Sequence, residues 1–339
     1  MPRIPYSVIL RAHRENSLLP LLLKECRTID SARNELRWLR EAVQEKQSLP
    51  TKWSRLRSMC RLRSKGVPLQ YLLGNQPFGD LEILCHQGVL IPRPETESYT
   101  YKSAQLVQRI KRKPETKLRI LDLCTGTGCI SLLLQALLAP HFQDLSITGV
   151  DISPVALGLA QKNLQHNIKL GQLVPQAATD IQFHRADVLG NGSDTLVSIR
   201  SLLQTLGRPS QPSEHLQYDL LISNPPYISR AEFRNGTTAR SVRLFEPELA
   251  LVPPSVSEDG RPEDIFYRRI LSLALELKTP ITVLECGDMA QAQRVVTLHE
   301  RLAGNKDFSA EIWPRHERDL AEYGFHETDG SRCVIIQRL

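Results

Sequence analysis

Residues 118–128 read Leu-Arg-Ile-Leu-Asp-Leu-Cys-Thr-Gly-Thr-Gly and precede the apolar segment 130–138. A short apolar run, a glycine turn and a longer apolar run predict a buried strand, a tight loop and a helix. Gly126 and Gly128 tolerate positive φ angles and let the backbone approach a ligand closely. This order is typical of an α/β fold that binds ligands at the carboxyl ends of its strands.

The glycine loop favours one of two ligand classes. A nicotinamide dinucleotide site would carry a third Gly or Ala three residues after Gly128, and that position is Ser131. The acidic Asp122 lies before the turn. Both features suit S-adenosylmethionine better than a pyrophosphate.

Two further acidic residues follow strand-like runs. The run 146–150 predicts a strand ending at Asp151, where a carboxylate can accept hydrogen bonds from both ribose hydroxyls. Asp151 could instead be a helix N-cap, because a Ser-Pro pair begins a helix over 155–165, and the two roles are compatible. Asp187 follows a third run, where it would meet the adenine amino group; the alternative is an acid on a surface loop.

Residues 224–227 read Asn-Pro-Pro-Tyr and follow the apolar run 218–223, which predicts a buried parallel strand. Two prolines remove two backbone donors and stiffen the loop. The Asn224 oxygen and the Pro225 carbonyl could each accept a hydrogen from a planar –NH₂ group, while Tyr227 stacks on its plane. Such contacts would help mainly in the transition state. An ordinary proline turn is the alternative.

Several longer motifs narrow the class of protein. They are Val-Pro-Leu-Gln-Tyr-Leu-Leu-Gly at 67–74, Ile-Pro-Arg-Pro-Glu-Thr-Glu at 91–97, Phe-Glu-Pro-Glu-Leu-Ala-Leu at 245–251, Leu-Glu-Cys-Gly at 284–287 and Asp-Gly-Ser-Arg at 329–332. With these motifs the chain resembles the HemK/PrmC family, the glutamine methyltransferases of peptide chain release factors. The opening residues look most like the fungal mitochondrial members.

The resemblance implies an α/β fold with a seven-stranded, Rossmann-like class I methyltransferase domain. A small helical domain and a β-hairpin linker would precede it. We expect the helical domain, which would dock the substrate, at residues 1–75 and the hairpin linker at 76–97. The S-adenosylmethionine-dependent methyltransferase domain would span 98–339.

The resemblance also implies a role for each matching residue. The cofactor contacts carried over are Cys124, Thr125, Gly126, Thr127, Gly128, Asp151, Asp187, Val188, Asn224 and Thr96. The glycine loop would wrap the methionine end, Asp151 would hold the ribose, and Asp187 with Val188 the adenine. Thr96 would reach the amino-acid end of the cofactor. The substrate amide would be bound by Asn224, Pro225, Pro226 and Tyr227, of which Asn224, Pro225 and Tyr227 would be catalytic. Cys124 replaces the usual Gly, a small-for-small change expected to be tolerated.

Composition sets the remaining limits. With 339 residues and 41% apolar content, the chain can form two domains with a sizeable core. Seven scattered cysteines show no spacing suited to zinc, so we expect reduced thiols inside a cell and no metal. No apolar run reaches the length of a membrane span.

Charge and length suggest partners. Arg3, Arg11, His13 and Arg14 precede any acid, which is compatible with a mitochondrial presequence or with a plain basic N-terminus. The likeness to mitochondrial members favours import, with the cytoplasm as the alternative.

The segment 52–65 carries six cations and no acid, so it is a solvated helix face or a docking surface for an acidic protein patch or RNA. The long insertion 190–217 predicts a surface excursion or a partner site.

The predicted reaction is methyl transfer from S-adenosylmethionine to the side-chain nitrogen of a glutamine. As the resemblance implies, the target is the Gly-Gly-Gln glutamine of a class I release factor. One alternative is an adenine-N6 nucleic-acid methyltransferase, which the 91–97 motif and the lack of an obvious target-reading domain disfavour. The other is a catalytically silent cofactor-binding assembly factor, which the intact Asn-Pro-Pro-Tyr disfavours.

Overall fold

The computed structural model describes residues 3–44, 49–111, 117–190, 196–206, 217–254, 261–304, 308–315 and 332–339. The N-terminal part is helical. Its helices are α1 Tyr6–Glu15, α2 Leu19–Cys26, α3 Ile29–Gln44, α4 Leu49–Arg63 and α5 Leu69–Leu73. Their apolar positions recur at helical spacing and form one buried cluster that includes Leu22, Leu36 and Leu39. Ala12 of α1 belongs to the same cluster, so the basic N-terminal segment is part of the folded domain.

The basic segment of α4 is only partly a free cationic face. Arg57, Arg61 and Lys65 are exposed. Arg63 instead forms a two-pronged ion pair with Glu35 of α3, with both N···O distances at 2.8 Å. Arg63 therefore joins two helices, and the two interpretations of this segment, a solvated face or a docking surface, concern its exposed cations.

A short antiparallel hairpin connects the helices to the sheet. Its strands are β1 Asn75–Phe78 and β2 Leu81–Leu84. Two asparagines of the later helix α8 (Pro154–Lys169) hold β2: Leu84 N–H donates to Asn163 Oδ1 at 2.7 Å, and Glu82 N–H donates to Asn167 Oδ1 at 3.0 Å. Helix α6, Pro94–Ile110, begins within the span 76–97 that we expect to be the linker.

The second part is a seven-stranded sheet with the order β5-β4-β3-β6-β7-β9-β8. The strands are β3 Leu118–Leu123, β4 Leu145–Asp151, β5 Ile181–Arg185, β6 Leu220–Ser223, β7 Ile281–Cys286, β8 Phe308–Trp313 and β9 Arg332–Arg338. The first five in the sheet are parallel, and β9 runs antiparallel to both of its neighbours. The predicted class I methyltransferase sheet is confirmed.

Helices cover both faces of this sheet. Besides α6 and α8 they are α7 Cys129–Leu138, α9 Ala177–Asp180, α10 Ile199–Leu206, α11 Arg230–Asn235, α12 Arg240–Phe245, α13 Ile265–Glu276 and α14 Met289–Ala303. Ile120 of β3 lies in one buried cluster and its neighbour Leu121 in the other. A parallel strand buried on both faces reads as a continuous apolar run, which is why β3 and β6 were predictable.

The order of connections reverses at β3. The chain proceeds from β3 to β4 and β5 on one side and crosses to β6 and β7 on the other. Such a switch point leaves a crevice beyond the carboxyl ends of the strands, where open α/β sheets bind ligands. The glycine loop after β3 and the Asn-Pro-Pro-Tyr loop after β6 therefore leave the sheet side by side.

One buried histidine of α14 should make stability depend on pH. His299 is 4% exposed and packs edge-on against Phe308 at 5.0 Å between ring centroids. Neither of its ring nitrogens has a hydrogen-bond partner in the described part of the chain. Burial lowers the pKa of His299, so the unfolded chain binds the proton more readily. The folded state therefore keeps its full stability at neutral pH. It loses stability as pH falls below about 6.5, the pKa of histidine in the unfolded chain.

We therefore expect His299→Leu to raise the unfolding free energy by about 1 kcal/mol, because a buried polar group without a partner is removed. The gain should grow as pH falls from about 7 to about 5. Denaturant unfolding at several pH values measures both effects. The same change at the exposed His13 serves as the control. An equal pH dependence in wild type and His299→Leu would contradict the assignment.

Candidate active site

A cavity of about 660 Å³ lies at the switch point of the sheet. Its volume is typical of small-molecule sites. Its walls include residues from 88–93, 124–127, 151–153, 186–189 and 247–250 together with Thr96, Asn224 and Pro226. The loops that follow β3, β4, β5 and β6 thus meet around one space, as their shared position at the carboxyl edge requires.

The glycine loop turns sharply through three left-handed residues. Gly126 has φ +56° and Gly128 has φ +80°, and Cys124 has φ +60°. Only glycine adopts this region without cost, so a side chain at position 124 carries strain of roughly 1–3 kcal/mol. The expectation that this small-for-small change is tolerated stays a prediction, and the structure adds that it carries a backbone cost. Burial raises the pKa of the Cys124 thiol well above its usual value, which keeps the thiol neutral.

Asp122 fastens this loop to the helix behind it. The hydroxyls of Thr125 and Ser131 both donate to Asp122 Oδ2 at 2.6 Å. Burial of the carboxylate raises its pKa to about 6, while the two hydroxyl donors act in the opposite direction. Ser131, which argued against a dinucleotide site, thus has a structural role in the loop.

Asp151 ends β4 and faces the glycine loop. Its Oδ2 accepts the Gly126 N–H and its Oδ1 accepts the Ser153 N–H, both at 2.9 Å. The N-cap of α8 is Ser153, whose hydroxyl accepts the Ala156 N–H, so the N-cap interpretation of Asp151 is wrong. A carboxylate has about four acceptor positions, so Asp151 keeps acceptor capacity for a ligand, and its contact with the ribose stays a prediction.

Asp187 and Val188 follow β5 and line the cavity. Asp187 is 8% exposed, and its carboxylate accepts the Leu189 N–H at 2.9 Å. Its backbone also pairs with that of residues 197 and 199. The alternative of an acid on a surface loop is therefore wrong. The contact of Asp187 with adenine stays a prediction.

The Asn-Pro-Pro-Tyr loop presents two of its four residues to the cavity. Asn224 and Pro226 form part of the wall, whereas Pro225 and Tyr227 lie outside it. The Tyr227 hydroxyl donates to Glu285 at 3.1 Å, and its ring lies against Gly287, where a Cβ would come within 3.1 Å of ring atoms. Stacking of Tyr227 on a substrate plane and acceptance by the Pro225 carbonyl therefore stay predictions.

Two buried acids near the site received no role from the sequence. Glu285, in β7, accepts a hydrogen bond from the Thr96 hydroxyl at 2.7 Å. Glu246 accepts from Arg93 Nη2 at 2.6 Å and from the Ile91 N–H at 3.0 Å. Both pairs join the 91–97 motif to distant parts of the chain, β7 in one case and the residue after α12 in the other. A carboxylate inside a strand whose residues are all buried is the feature that marks Glu285, and the sequence signal for it is an acid within the mostly apolar run 281–286.

The cavity fits S-adenosylmethionine. A Cβ built on Gly126 would meet no atom nearer than the Cys124 carbonyl oxygen at 4.0 Å, so the loop backbone is open to a ligand. Asp151 has acceptor positions for a diol beside it. Over the described ranges, no cluster of three or more His, Cys, Asp or Glu side chains could hold a metal ion. In that same part of the chain, no helix has the length and apolar character needed to cross a membrane.

This strand order, with a glycine loop at the switch point and an acid at the end of the next strand, defines a class I methyltransferase. The methyltransferase small domain family matches residues 99–192. The crystal structure of the N-terminal domain of human METTL16 in complex with SAH has the same fold. Its TM-score is 0.50 at 17% identity, and the alignment covers 90% of this chain and 94% of that one.

Two yeast proteins are similar over almost the whole chain. The mitochondrial MRF1 N(5)-glutamine methyltransferase MTQ1 of Saccharomyces cerevisiae is 37% identical, over 98% of this chain and 92% of its own length. The probable MRF1 mitochondrial N(5)-glutamine methyltransferase mtq1 of Schizosaccharomyces pombe is 36% identical, over 99% and 97%. The chain therefore belongs to the N(5)-glutamine methyltransferase family, whose members are enzymes that use S-adenosylmethionine as methyl donor. The resemblance seen in the motifs is confirmed.

Proposed function

We propose that this enzyme methylates the side-chain amide nitrogen of the glutamine in the Gly-Gly-Gln motif of a mitochondrial class I peptide chain release factor. The observation that carries the proposal is the shared cavity, in which Asn224 and the glycine loop line one space. The names of the two yeast relatives, both MRF1 glutamine methyltransferases, support the substrate class and the compartment.

The residues around the cavity supply orientation rather than acid–base chemistry. When bound, S-adenosylmethionine supplies an electrophilic methyl group on a sulfonium sulfur. The Asn224 oxygen would accept one hydrogen of the target amide and draw its lone pair out of conjugation. Asp151 and the glycine loop would hold the methyl donor in line with that nitrogen. Because the two reactants would then be oriented before they react, the activation free energy would be lower. The nitrogen releases its proton after it gains the methyl group, so water can take the proton.

The test combines the purified enzyme, labelled S-adenosylmethionine and a Gly-Gly-Gln release factor, and it locates the added methyl by fragment mass. The expected result is label on the glutamine of that tripeptide. Gln→Glu in the release factor should abolish labelling, since the nucleophilic nitrogen is gone, and Gln→Asn should place that nitrogen one methylene short. Label on nucleic acid alone would favour an adenine-N6 methyltransferase. Cofactor binding without any methylated product would favour a silent assembly factor.

Arg57, Arg61 and Lys65, which we call the α4 basic face, are proposed to dock the release factor. All three are exposed; Arg57 and Arg61 lie on α4, and Lys65 lies in the turn that follows it. Arg63, the last residue of α4, is instead paired with Glu35. Helix α12 of the second part of the chain contacts the turn after α4, because Arg240 Nη1 donates to the Lys65 carbonyl oxygen at 3.1 Å. A cationic face beside the catalytic domain suits an acidic surface on a protein substrate.

Changing Arg57 and Arg61 together to glutamate should lower kcat/KM for the whole release factor several-fold at low salt. The rate on a short Gly-Gly-Gln peptide should stay unchanged, because the peptide does not reach α4. Initial rates at rising ionic strength measure the effect, which salt should remove. Arg63→Glu is the contrasting variant: it breaks the ion pair with Glu35 and should lower stability instead. Equal losses on both substrates would mean that α4 is only a solvated helix.

We propose mitochondrial residence on the names of the yeast relatives, with the cytoplasm as the alternative. Arg11, His13 and Arg14 lie in α1, whose Ala12 is buried in the helical cluster. Removal of this helix on import would open that cluster. Fractionation with an antibody against the protein, followed by N-terminal sequencing, would test both the compartment and the retention of α1.

A further inference from the structure

Glu285 connects the end of β7 to the first turn of α6 and to the loop after β6. It is 1% exposed. Its Oε2 accepts the Thr96 hydroxyl at 2.7 Å, and its Oε1 accepts the Tyr227 hydroxyl at 3.1 Å. The Asn224 side-chain nitrogen lies 3.4 Å from the Thr96 hydroxyl oxygen. We call the chain of contacts Asn224–Thr96–Glu285 the amide relay.

We propose that Thr96 and Glu285 are positioning residues that fix which end of the Asn224 amide faces the substrate. A threonine hydroxyl has one hydrogen, and in the structure that hydrogen is donated to Glu285 Oε2 at 2.7 Å. The hydrogen of Thr96 is therefore directed at Glu285, and a lone pair faces Asn224. Only the NH₂ end of the amide can satisfy that lone pair. The oxygen of Asn224 is then the atom left for a ligand in the cavity.

The relay matters because the two ends of an asparagine amide have almost the same shape. Hydrogen bonding alone decides their orientation. The inference rests on the proposed function, in which the substrate offers an –NH₂ group to Asn224. A flipped amide would set its own NH₂ against that group, and the acceptor would be lost. Thr96 also lines the cavity, so its predicted contact with the cofactor stays a prediction, while its hydrogen is already held by Glu285.

The same helix provides a matched control. Thr100 lies one turn after Thr96 and is equally buried. Its hydroxyl donates to the Thr96 carbonyl oxygen at 2.7 Å, and the residue is absent from the cavity wall. A Thr→Val change at position 100 removes a buried hydroxyl that bonds to the backbone of Thr96 and to none of the relay side chains.

The test measures kcat and the dissociation constant of S-adenosylmethionine for Thr96→Val, Thr96→Ser and Thr100→Val. Thr96→Val should lower kcat about tenfold, the loss of one neutral hydrogen bond, and saturation with S-adenosylmethionine should not restore the rate. Thr96→Ser keeps the hydroxyl and should restore the rate, and Thr100→Val should match wild type. In an Asn224→Ala background, Thr96→Val should have no further effect, since the relay acts only through Asn224.

The inference would be overturned if the losses in kcat of Thr96→Val and Asn224→Ala multiplied in the double variant. It would also be overturned if Thr96→Ser were as slow as Thr96→Val. Thr96→Ala serves as a second hydroxyl-free variant if Thr96→Val is unstable. The failure of the proposed function is separate. A wild-type enzyme that leaves the release factor unmethylated rejects that function, whereas multiplying losses in an active enzyme reject only the relay.

Discussion

Replacing Asn224 by alanine is expected to lower the turnover number about 100- to 1000-fold, the usual loss when one transition-state hydrogen-bonding group is removed. Asn224 lines the cavity together with the glycine loop and residues of the 91–97 motif, and we propose that its oxygen is the acceptor for the substrate amide. Such an acceptor acts more strongly as the target nitrogen becomes tetrahedral, so kcat should fall more than substrate affinity. Single-turnover rates and cofactor titration separate the two.

Asn235→Ala is the matched control. This asparagine ends α11 at the surface, and its side chain only accepts the Thr237 N–H at 2.9 Å. Activity and melting temperature should be close to those of wild type. If Asn224→Ala loses less than about tenfold in turnover, its amide oxygen is not the acceptor that we assign.

The sequence predicted the fold well because its signals are local. A strand buried on both faces is a continuous apolar run, and a glycine turn must follow where the backbone changes direction. Asp151 and Asn224 stand at strand ends, and the carboxyl ends of parallel strands share one edge of the sheet. Their meeting at a single cavity follows from topology alone.

The supporting contacts were not predictable in the same way. Arg93 and Glu246 are 153 positions apart, and Thr96 and Glu285 are 189 positions apart. The residues around Arg93 and Thr96 do not indicate which distant carboxylate each of the two will contact. Arg63 looked like one more cation in a basic segment until α3 brought Glu35 against it. Such pairs depend on how elements pack, which a single sequence does not encode locally.

The strain at Cys124 has a similar origin. Its small size relative to glycine predicts that the change is tolerated, but size does not show the cost in the backbone, which adopts φ +60° there. In this conformation the loop places the Gly126 N–H 2.9 Å from Asp151 Oδ2, at the end of another strand. A contact of that kind is not visible in the local sequence.

The second large effect is expected for Asp151→Ala, which should weaken S-adenosylmethionine binding about 10- to 100-fold. Hydrogen bonds to a charged group contribute about 1.5–3 kcal/mol, and 1.4 kcal/mol corresponds to a factor of ten. Asp151 also accepts the Gly126 N–H, so part of the loss will come from the loop. Isothermal titration with the demethylated product measures the affinity without turnover.

Asp180→Ala provides the control for removal of a buried carboxylate. Asp180 ends α9 outside the cavity, where it accepts the Gln135 amide at 3.1 Å, so its loss should leave cofactor affinity unchanged.

A pH series adds an independent measurement of the role of Asp151. Because burial raises the pKa of Asp151, its protonation in acid removes an acceptor from the ribose site, and wild-type affinity should fall as pH falls. The affinity of Asp151→Ala should change much less over the same range. An unchanged dissociation constant in that variant at neutral pH would rule out the ribose role, because two charged hydrogen bonds cannot be removed without a measurable loss.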